Sequence, residues 1–282
     1  MPFRVFGLML HLVLILVLGI GNTGYAQDDF PRQVTDAAGV VVTIPARPQI
    51  VAVIGDVPEL KLILPHTRQI DVMAPEWSGV GLLVLPDLYA AAYPDVVKSA
   101  RDADVPVFQT TAVNSLESWR DAVRRLGLAT GQDIHAEAAV ERLDRQLTLI
   151  RERVSGEEPV RALVLTPEGY TFGRGALLTE LIDAAGGVNT AAEAGYANYR
   201  QIDDSVIHDL APDVILLSPS WGADGALAFA ANPAYSTIPA VRLGRVYLLR
   251  FSPTMPPDPG SALVMLALLL HPRALLFGSL TG

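Results

Sequence analysis

Residues 177–219 read LLTELIDAAGGVNTAAEAGYANYRQIDDSVIHDLAPDVILLSP, and they carry more structural information than any other stretch of the chain. The first part predicts a helix that ends at Gly186 and is followed by a loop with two tyrosines. A second helix over 204–210 then leads through Pro212 and Asp213 to the apolar run 214–218, which predicts a strand buried in a parallel sheet. Helix, loop, helix and buried strand in this order are typical of a sheet covered by helices.

The same alternation of strand and helix continues on both sides of this stretch. Alternating β-branched residues at 32–44 predict a hairpin, and apolar runs at 50–54, 82–85 and 105–110 predict strands separated by helical segments. Further strands are predicted at 162–166 and 246–251, and further helices at 227–231 and 260–270. We therefore predict an α/β fold with two lobes, each built on a mostly parallel sheet.

One long helix is predicted between the two lobes. Apolar residues recur there every three or four positions, which marks one helix face: Ala136, Val140, Leu143, Leu147, Ile150 and Val154. Thr130 and Asp133 resemble a capping box at its start. About 25 residues at 1.5 Å each span roughly 38 Å, which is enough to join two lobes. We predict an N-terminal lobe at 27–129, an interlobe helix at 130–156 and a C-terminal lobe at 157–282.

The N-terminus indicates export. Arg4, an apolar run at 5–20 and the small residues Gly24 and Ala26 predict a signal peptide at 1–26 that is cleaved after Ala26. An uncleaved anchor is the alternative, but about 16 apolar residues are fewer than the ~20 that a spanning helix needs. The chain has no cysteine, which excludes disulfides, thiolate metal sites and a lipid-modified cysteine. We expect a soluble protein in the periplasm.

Charge and missing motifs exclude several functions. A formal net charge of −9 disfavours nucleic acid and anionic lipid surfaces as partners. The chain lacks a G-x-S-x-G elbow, a complete dinucleotide-binding glycine loop and a P-loop lysine. A hydrolase that used Ser252 and Asp56 would lack a matching base. We predict that the protein is not an enzyme.

A metal ion held by the protein itself would need three or four converging His, Asp or Glu ligands. Of the five histidines in the chain, four follow the signal segment, and capping or surface positions explain them better than ligation: His66, His135, His208 and His271. We expect neither a protein metal site nor an intrinsic cofactor.

Four stretches together resemble a known family. They are VTDAAGVVVTIPARPQIVAV at 34–53, PDLYAAAYPDVVKSARDADVPVFQT at 86–110, TFGRG followed by the stretch quoted first, and NPAYSTIPAVRLGRVYLL at 232–249 with the closing helix and LLHP. In order and spacing they resemble the periplasmic substrate-binding proteins that serve ABC importers of iron-siderophores, haem and vitamin B12.

The resemblance implies two lobes joined by a rigid helix, with the ligand in the cleft between them. It implies a monomer that captures a ferric chelate, haem or cobalamin-like molecule and delivers it to an ABC permease. Because a long helix absorbs little hinge rotation, opening and closing should be small. The alternative is a degenerate relative that acts as a sensor or interaction module without delivery.

Ligands in open parallel sheets bind beyond the carboxyl ends of the strands. This rule, with the resemblance, nominates ten ligand-binding residues: Asp56, Tyr93, Thr111, Tyr170, Phe172, Arg174, Tyr199, Arg200, Trp221 and Ser252. Tyr199 lies where the vitamin B12 binder that the chain resembles has a ligand-stacking aromatic ring, although a loop tyrosine that covers the core is the alternative.

The other nominated residues also have alternatives. Arg174 and Arg200 can clamp a carboxylate or phosphate with paired hydrogen bonds, or simply lie in solvent. Tyr93 could ligate haem iron, or mark a turn. Trp221 could line the cleft, or pack beneath the following helix.

Permease docking departs from the family pattern. Related proteins carry a glutamate about seven residues ahead of Pro-Asp in each lobe, where this chain has Gly79 and Ser205. Glu76 and Asp204 lie nearby, and we predict that they replace the glutamates. The segment between Leu60 and Pro86 is also shorter than in relatives. The short segment and the missing glutamates together are the reason for keeping the degenerate alternative.

Overall fold

The computed structural model describes residues 30–253 and 258–277 of the chain. The predicted signal peptide at 1–26 lies outside the described residues. From Pro31 onward the chain belongs to one compact unit. In the part that the structure describes, no helix is both long enough and apolar enough to cross a membrane.

Twelve strands are described. They are β1 Arg32–Thr35, β2 Val41–Ile44, β3 Val51–Val53, β4 Arg68–Gln69, β5 Leu82–Pro86, β6 Val107–Thr110, β7 Val160–Leu165, β8 Tyr170–Phe172, β9 Gly187–Asn189, β10 Tyr199–Gln201, β11 Val214–Leu217 and β12 Val246–Leu248.

Helices lie between these strands. They are α1 Pro58–Ile63, α2 Asp87–Ala92, α3 Pro94–Asp102, α4 Leu116–Thr130, α5 Asp133–Val154, α6 Leu177–Ala184, α7 Thr190–Glu193, α8 Asp204–Leu210, α9 Gly225–Ala231, α10 Pro239–Arg242, α11 Pro259–Leu270 and α12 Pro272–Phe277. Two 3-10 turns, Pro219–Trp221 and Pro233–Tyr235, complete the secondary structure of the described residues.

Two four-stranded parallel sheets form the framework. The first has the order β4-β3-β5-β6 and the second the order β12-β11-β7-β9. Central strands of each sheet, such as Leu82–Leu85 and Val214–Leu217, are completely buried, because helices cover both faces. The predicted α/β fold with parallel sheets is confirmed. We call residues 31–131 the first half and 160–277 the second half.

Two short antiparallel ladders accompany the sheets. β1 and β2 form the predicted hairpin, with Arg32 opposite Ile44 and Thr35 opposite Val41. The pairing of β8 with β10 was not predicted, and it sets Tyr199 opposite Phe172. This second ladder holds several candidate site residues.

The long helix α5 begins later than the sequence suggests. Thr130 is the last residue of α4, where its hydroxyl donates a hydrogen bond to the carbonyl oxygen of Leu126 at 2.7 Å. Gly131 follows with φ 68°, a left-handed conformation that ends α4. The predicted capping role of Thr130 was therefore wrong, because a separate helix precedes α5 and ends there.

Helix α5 contacts helices from both halves. Its buried face includes Val140, Leu143, Leu147 and Ile150, as the periodicity predicted. It packs against α1 and α4 on one side and against α6, α11 and α12 on the other. The apolar face of this one helix is thus shared by the two sheet layers.

The crossing of α4 and α5 depends on Gly127. A Cβ atom at position 127 would lie 2.5 Å from the Cβ of Ala136, so two helices approach closely where one side chain is absent. Gly127→Ala should lower the free energy of unfolding by about 1–3 kcal/mol through overpacking, despite the better helix propensity of alanine. Urea denaturation measures this.

The reciprocal change provides the control. Ala136→Gly alone should cost about 1 kcal/mol of helix propensity, but the double variant Gly127→Ala with Ala136→Gly moves the methyl group across the contact. It should be more stable than the sum of the single changes predicts. Simple additivity of the two changes would contradict this account.

Candidate functional site

A cavity of about 330 Å³ lies at the carboxyl ends of β3, β5 and β6. The segments that follow these strands supply Asp56, Asp87 and Thr111, and α6 of the second half supplies Leu177. Much of the wall is apolar, with Pro58 and Val113 among its residues. The cavity therefore lies between the two halves, in the position that the strand-end rule predicts.

Tyr89 forms part of this wall, and the backbone at Gly55 makes room for it. Gly55 has φ 79°, and a Cβ atom there would lie 2.7 Å from Cε2 of Tyr89. Glycine is therefore required at position 55 for two reasons: the left-handed backbone conformation and the close approach of the Tyr89 ring. Tyr93 does not line the cavity; its ring stacks on Tyr89 with a centroid distance of 6.1 Å.

Three carboxyl groups border the cavity. Asp56 is exposed and pairs with Lys61 at 2.5 Å, and Asp87 accepts a hydrogen bond from the hydroxyl of Thr111 at 3.0 Å. Burial raises the pKa of the Glu59 carboxyl, a hydrogen bond with its own backbone lowers that pKa, and the charge of Asp56 raises it. Glu59 is therefore easier to protonate than an ordinary glutamate.

An aromatic cluster lies on the β8–β10 ladder. Tyr199 stacks on Tyr170 with a centroid distance of 4.5 Å and an interplanar angle of 14°, and its ring lies 5.0 Å from that of Phe172. Phe172 is buried, while Tyr199 remains 48% exposed. The antiparallel register sets these side chains on one face of the ladder, where aromatic cross-strand pairs stabilise it.

Two arginines belong to the same region. The Arg174 guanidinium donates a hydrogen bond to the carbonyl oxygen of Gly195 at 3.2 Å, and its side chain is exposed. Arg200 is paired through its backbone with Thr171, and its side chain is also exposed. Both guanidinium groups can therefore meet an anionic group of a ligand.

A second cavity, of about 480 Å³, lies at the carboxyl ends of β7 and β11. Trp221 lines it, donates from its indole N–H to the carbonyl oxygen of Leu165 at 3.2 Å, and packs edge-on against Phe229. Asp204 accepts a hydrogen bond from the Tyr235 hydroxyl at 2.9 Å. Burial, and then this hydrogen bond and the charge of Asp204, raise the pKa of Tyr235 to about 12.

The sequence model of the periplasmic binding protein family matches residues 83–253 of this chain. The chain belongs to the periplasmic binding protein family. The recognition made from the sequence is therefore confirmed. The family is one of binding proteins.

A cobalamin-binding protein from Halobacterium salinarum is 27% identical over an alignment of 222 residues that covers 68% of this chain and 59% of the relative. The chain thus spans about three fifths of the length of this curated relative. In the apo form, the periplasmic haem-binding protein RhuT from Roseiflexus sp. RS-1 has a TM-score of 0.63 at 22% identity, over 80% of this chain and 98% of that one.

A periplasmic solute-binding protein from Veillonella parvula DSM 2008 has a TM-score of 0.65 at 15% identity, over 87% of this chain and 88% of that one. At 22% and 15% identity, the similarity to these two structures shows a shared fold and nothing more. They extend the match beyond residues 83–253 to most of the described chain.

The structure groups the nominated residues of this periplasmic binding protein in three places. Asp56 and Thr111 line the first cavity; Tyr170, Phe172, Arg174, Tyr199 and Arg200 lie on or beside the β8–β10 ladder; Trp221 and Asp204 line the second cavity. Tyr93 packs behind Tyr89, and Ser252 and Glu76 are exposed residues outside these three groups.

Ten of the twelve residues that line the first cavity were not nominated from the sequence, among them Glu59, Asp87, Tyr89 and Leu177. Asp87 and Tyr89 lie in the first turn of α2, which begins directly where β5 ends. A helix that begins at a strand end places its first residues at the edge of the sheet where ligands bind. Asp87 and Tyr89 could therefore have been nominated from the sequence. Leu177 could not be found in the same way, because it comes from the other half.

The raised pKa of Glu59 gives a testable effect on stability. Below its ordinary value of 4.5 the carboxyl is protonated in both folded and unfolded chains, so burial costs nothing extra there. Above the folded pKa, the charged form is disfavoured in the folded protein. Glu59→Gln should therefore raise the melting temperature at pH 7, and this gain should vanish as the pH falls below 4.5.

Glu152→Gln, at an exposed position of α5, serves as the matched control, and its effect on melting should show no such loss at low pH. Calorimetry at pH 4, 5, 6 and 7 would measure both variants. A melting temperature of Glu59→Gln that follows the control at every pH would contradict the role of burial.

Proposed function

We propose that this protein captures a metal chelate, either an iron-siderophore, haem or a cobalamin-like molecule, and delivers it to an ABC permease. The observation that carries the proposal is the first cavity, whose wall combines strand ends of the first half with Leu177 of the second. A ligand there would contact both halves at once, as capture between two lobes requires.

The aromatic cluster supports a ligand with a flat ring system. Tyr199 is held by Tyr170 and Phe172 on one side and is still half exposed. A ring that is already stacked and ordered loses little freedom when a chelate packs on it. Arg174 would then meet an anionic group of the same ligand. Arg200 lies opposite Thr171, on the other face of the ladder from Tyr199, so it would bind an anionic group on that face.

In this proposal, residues 27–129 and 157–282 act as the two lobes, and the segment 130–156 joins them. The protein works in the periplasm as a monomer after cleavage behind Ala26. Glu76 and Asp204 are the carboxylates that we propose for permease docking. Asp204 is the better positioned of the two, because Tyr235 fixes its carboxylate.

The experiment that tests binding uses haem, ferric siderophores and cyanocobalamin in a titration of the purified protein. At least one should bind below about 10 μM, which corresponds to roughly −7 kcal/mol, and should raise the melting temperature. For that ligand, Tyr199→Ala should weaken binding by about 1–3 kcal/mol, because a buried stacking face is lost.

Tyr199→Phe is the matched control, since it keeps the ring and removes the hydroxyl. It should retain most of the affinity if stacking dominates. If Tyr199→Ala left the affinity unchanged and lowered the melting temperature of the free protein, Tyr199 would be a packing residue. No stabilisation by any chelate would favour the sensor or interaction module instead.

Docking is tested by uptake with the cognate permease. The double variant Glu76→Gln with Asp204→Asn should lower uptake at least about tenfold, roughly 1.4 kcal/mol of coupling, with ligand affinity unchanged. Tyr235→Phe is the comparison variant: it frees the Asp204 carboxylate but keeps its charge, so uptake should fall less than in the double variant. Normal uptake by the double variant would show that docking uses other surfaces.

A further inference from the structure

The first cavity has an unusual distribution of charge. Asp56, Glu59 and Asp87 border it, and none of the residues that the structure describes in its wall is lysine, arginine or histidine. Lys61, which is not among the lining residues, pairs with Asp56. Among the nominated ligand-binding residues, positive charge is confined to Arg174 and Arg200 of the second half.

The polar groups of this wall are arranged to accept hydrogen bonds. Asp87 accepts a hydrogen bond from the Thr111 hydroxyl on Oδ2 at 3.0 Å and one from the backbone N–H of Leu88 on Oδ1 at 2.7 Å, which orients that carboxylate and leaves one lone pair on each oxygen for a ligand donor. Asp56 is exposed at the cavity edge. A ligand group that fits here must therefore supply N–H or O–H donors, and a second carboxylate would face like charge.

Glu59 narrows the choice of ligand group. It is partly buried in the wall, where burial makes its neutral form easier to reach. A protonated carboxyl donates a hydrogen bond, whereas a charged one only accepts. A carboxamide satisfies either form, because it carries both an NH₂ donor and a carbonyl acceptor.

We propose that the first-half wall of the cavity selects chelates whose peripheral groups are carboxamides and rejects those whose peripheral groups are carboxylates. Asp56, Glu59 and Asp87 are the residues that determine this specificity. The proposal rests on the proposed function, because it concerns the same cavity. It defines the ligand class by its peripheral groups, independently of the metal and the ring.

The experiment compares compounds that differ only in these groups. One pair is cyanocobalamin and its monocarboxylic acid derivatives, in which one carboxamide is replaced by carboxylate; the other is haem and its diamide. In whichever pair binds, the amide form should bind at least about tenfold more tightly at pH 7 and low salt. Added salt should reduce this preference, because it screens the repulsion of the acid form.

The triple variant Asp56→Asn, Glu59→Gln and Asp87→Asn should reduce the preference to less than about threefold, mainly by improving binding of the acid form. A control with the same change in net charge is Asp95→Asn, Glu117→Gln and Glu152→Gln. These three residues are exposed and lie outside the cavity. The control should keep most of the preference, because charges farther from the ligand repel its carboxylate less than charges in the cavity wall do.

Circular dichroism and melting would establish that the triple variant is folded, and Asp87→Asn alone would be measured if it is not. This single variant should reduce the preference in the same direction. Equal binding of the amide and acid forms by the wild type would overturn the inference and leave the proposed function intact. A preference for the amide form that persists in the triple variant would do the same. Absence of binding by all the compounds would contradict the proposed function and the inference with it.

Discussion

The burial of one helix face holds this protein together. Helix α5 places its apolar side chains against helices of both halves, so each half covers part of that face. Burying each such side chain contributes about 1.5–3 kcal/mol, so the shared face is a large part of what fixes the halves to each other. The close crossing at Gly127 and Ala136 then sets how near α4 can approach. The position of the first cavity follows from this packing, because its wall includes residues of both halves.

Much of the framework could be predicted from the sequence. Helix α8 and the buried strand β11 have the bounds that the stretch at 204–218 indicates to within one residue, since Pro212 and Asp213 separate two strongly apolar segments. The periodicity of α5 identified its buried face correctly. Both features are local, because neighbouring residues determine them. The start of α5 was missed because Thr130 and Asp133 imitate a cap while the true helix end depends on Gly131.

The candidate site was predictable only in part, for a physical reason. The strand-end rule nominated Asp56 and Thr111, which follow the ends of β3 and β6 within three residues and line the first cavity. It chose Tyr93 over Tyr89, because sequence alone does not show which ring the left-handed turn at Gly55 accommodates. The ladder of β8 and β10 consists of two three-residue strands that no short turn connects. Such pairing is determined by long-range packing, and local alternation is too short to reveal it.

Leu177 has a further consequence for how this molecule responds to its ligand. It is a buried residue at the start of α6 in the second half, and yet it lines a cavity formed mainly by the first. The shape of the cavity is therefore a function of the angle between the halves. By thermodynamic linkage, a ligand that fills it stabilises one value of that angle over all others, in proportion to its differential affinity. A partner that contacts both halves from outside would then distinguish the ligand-bound protein from the ligand-free protein by the angle between the halves, without contacting the ligand.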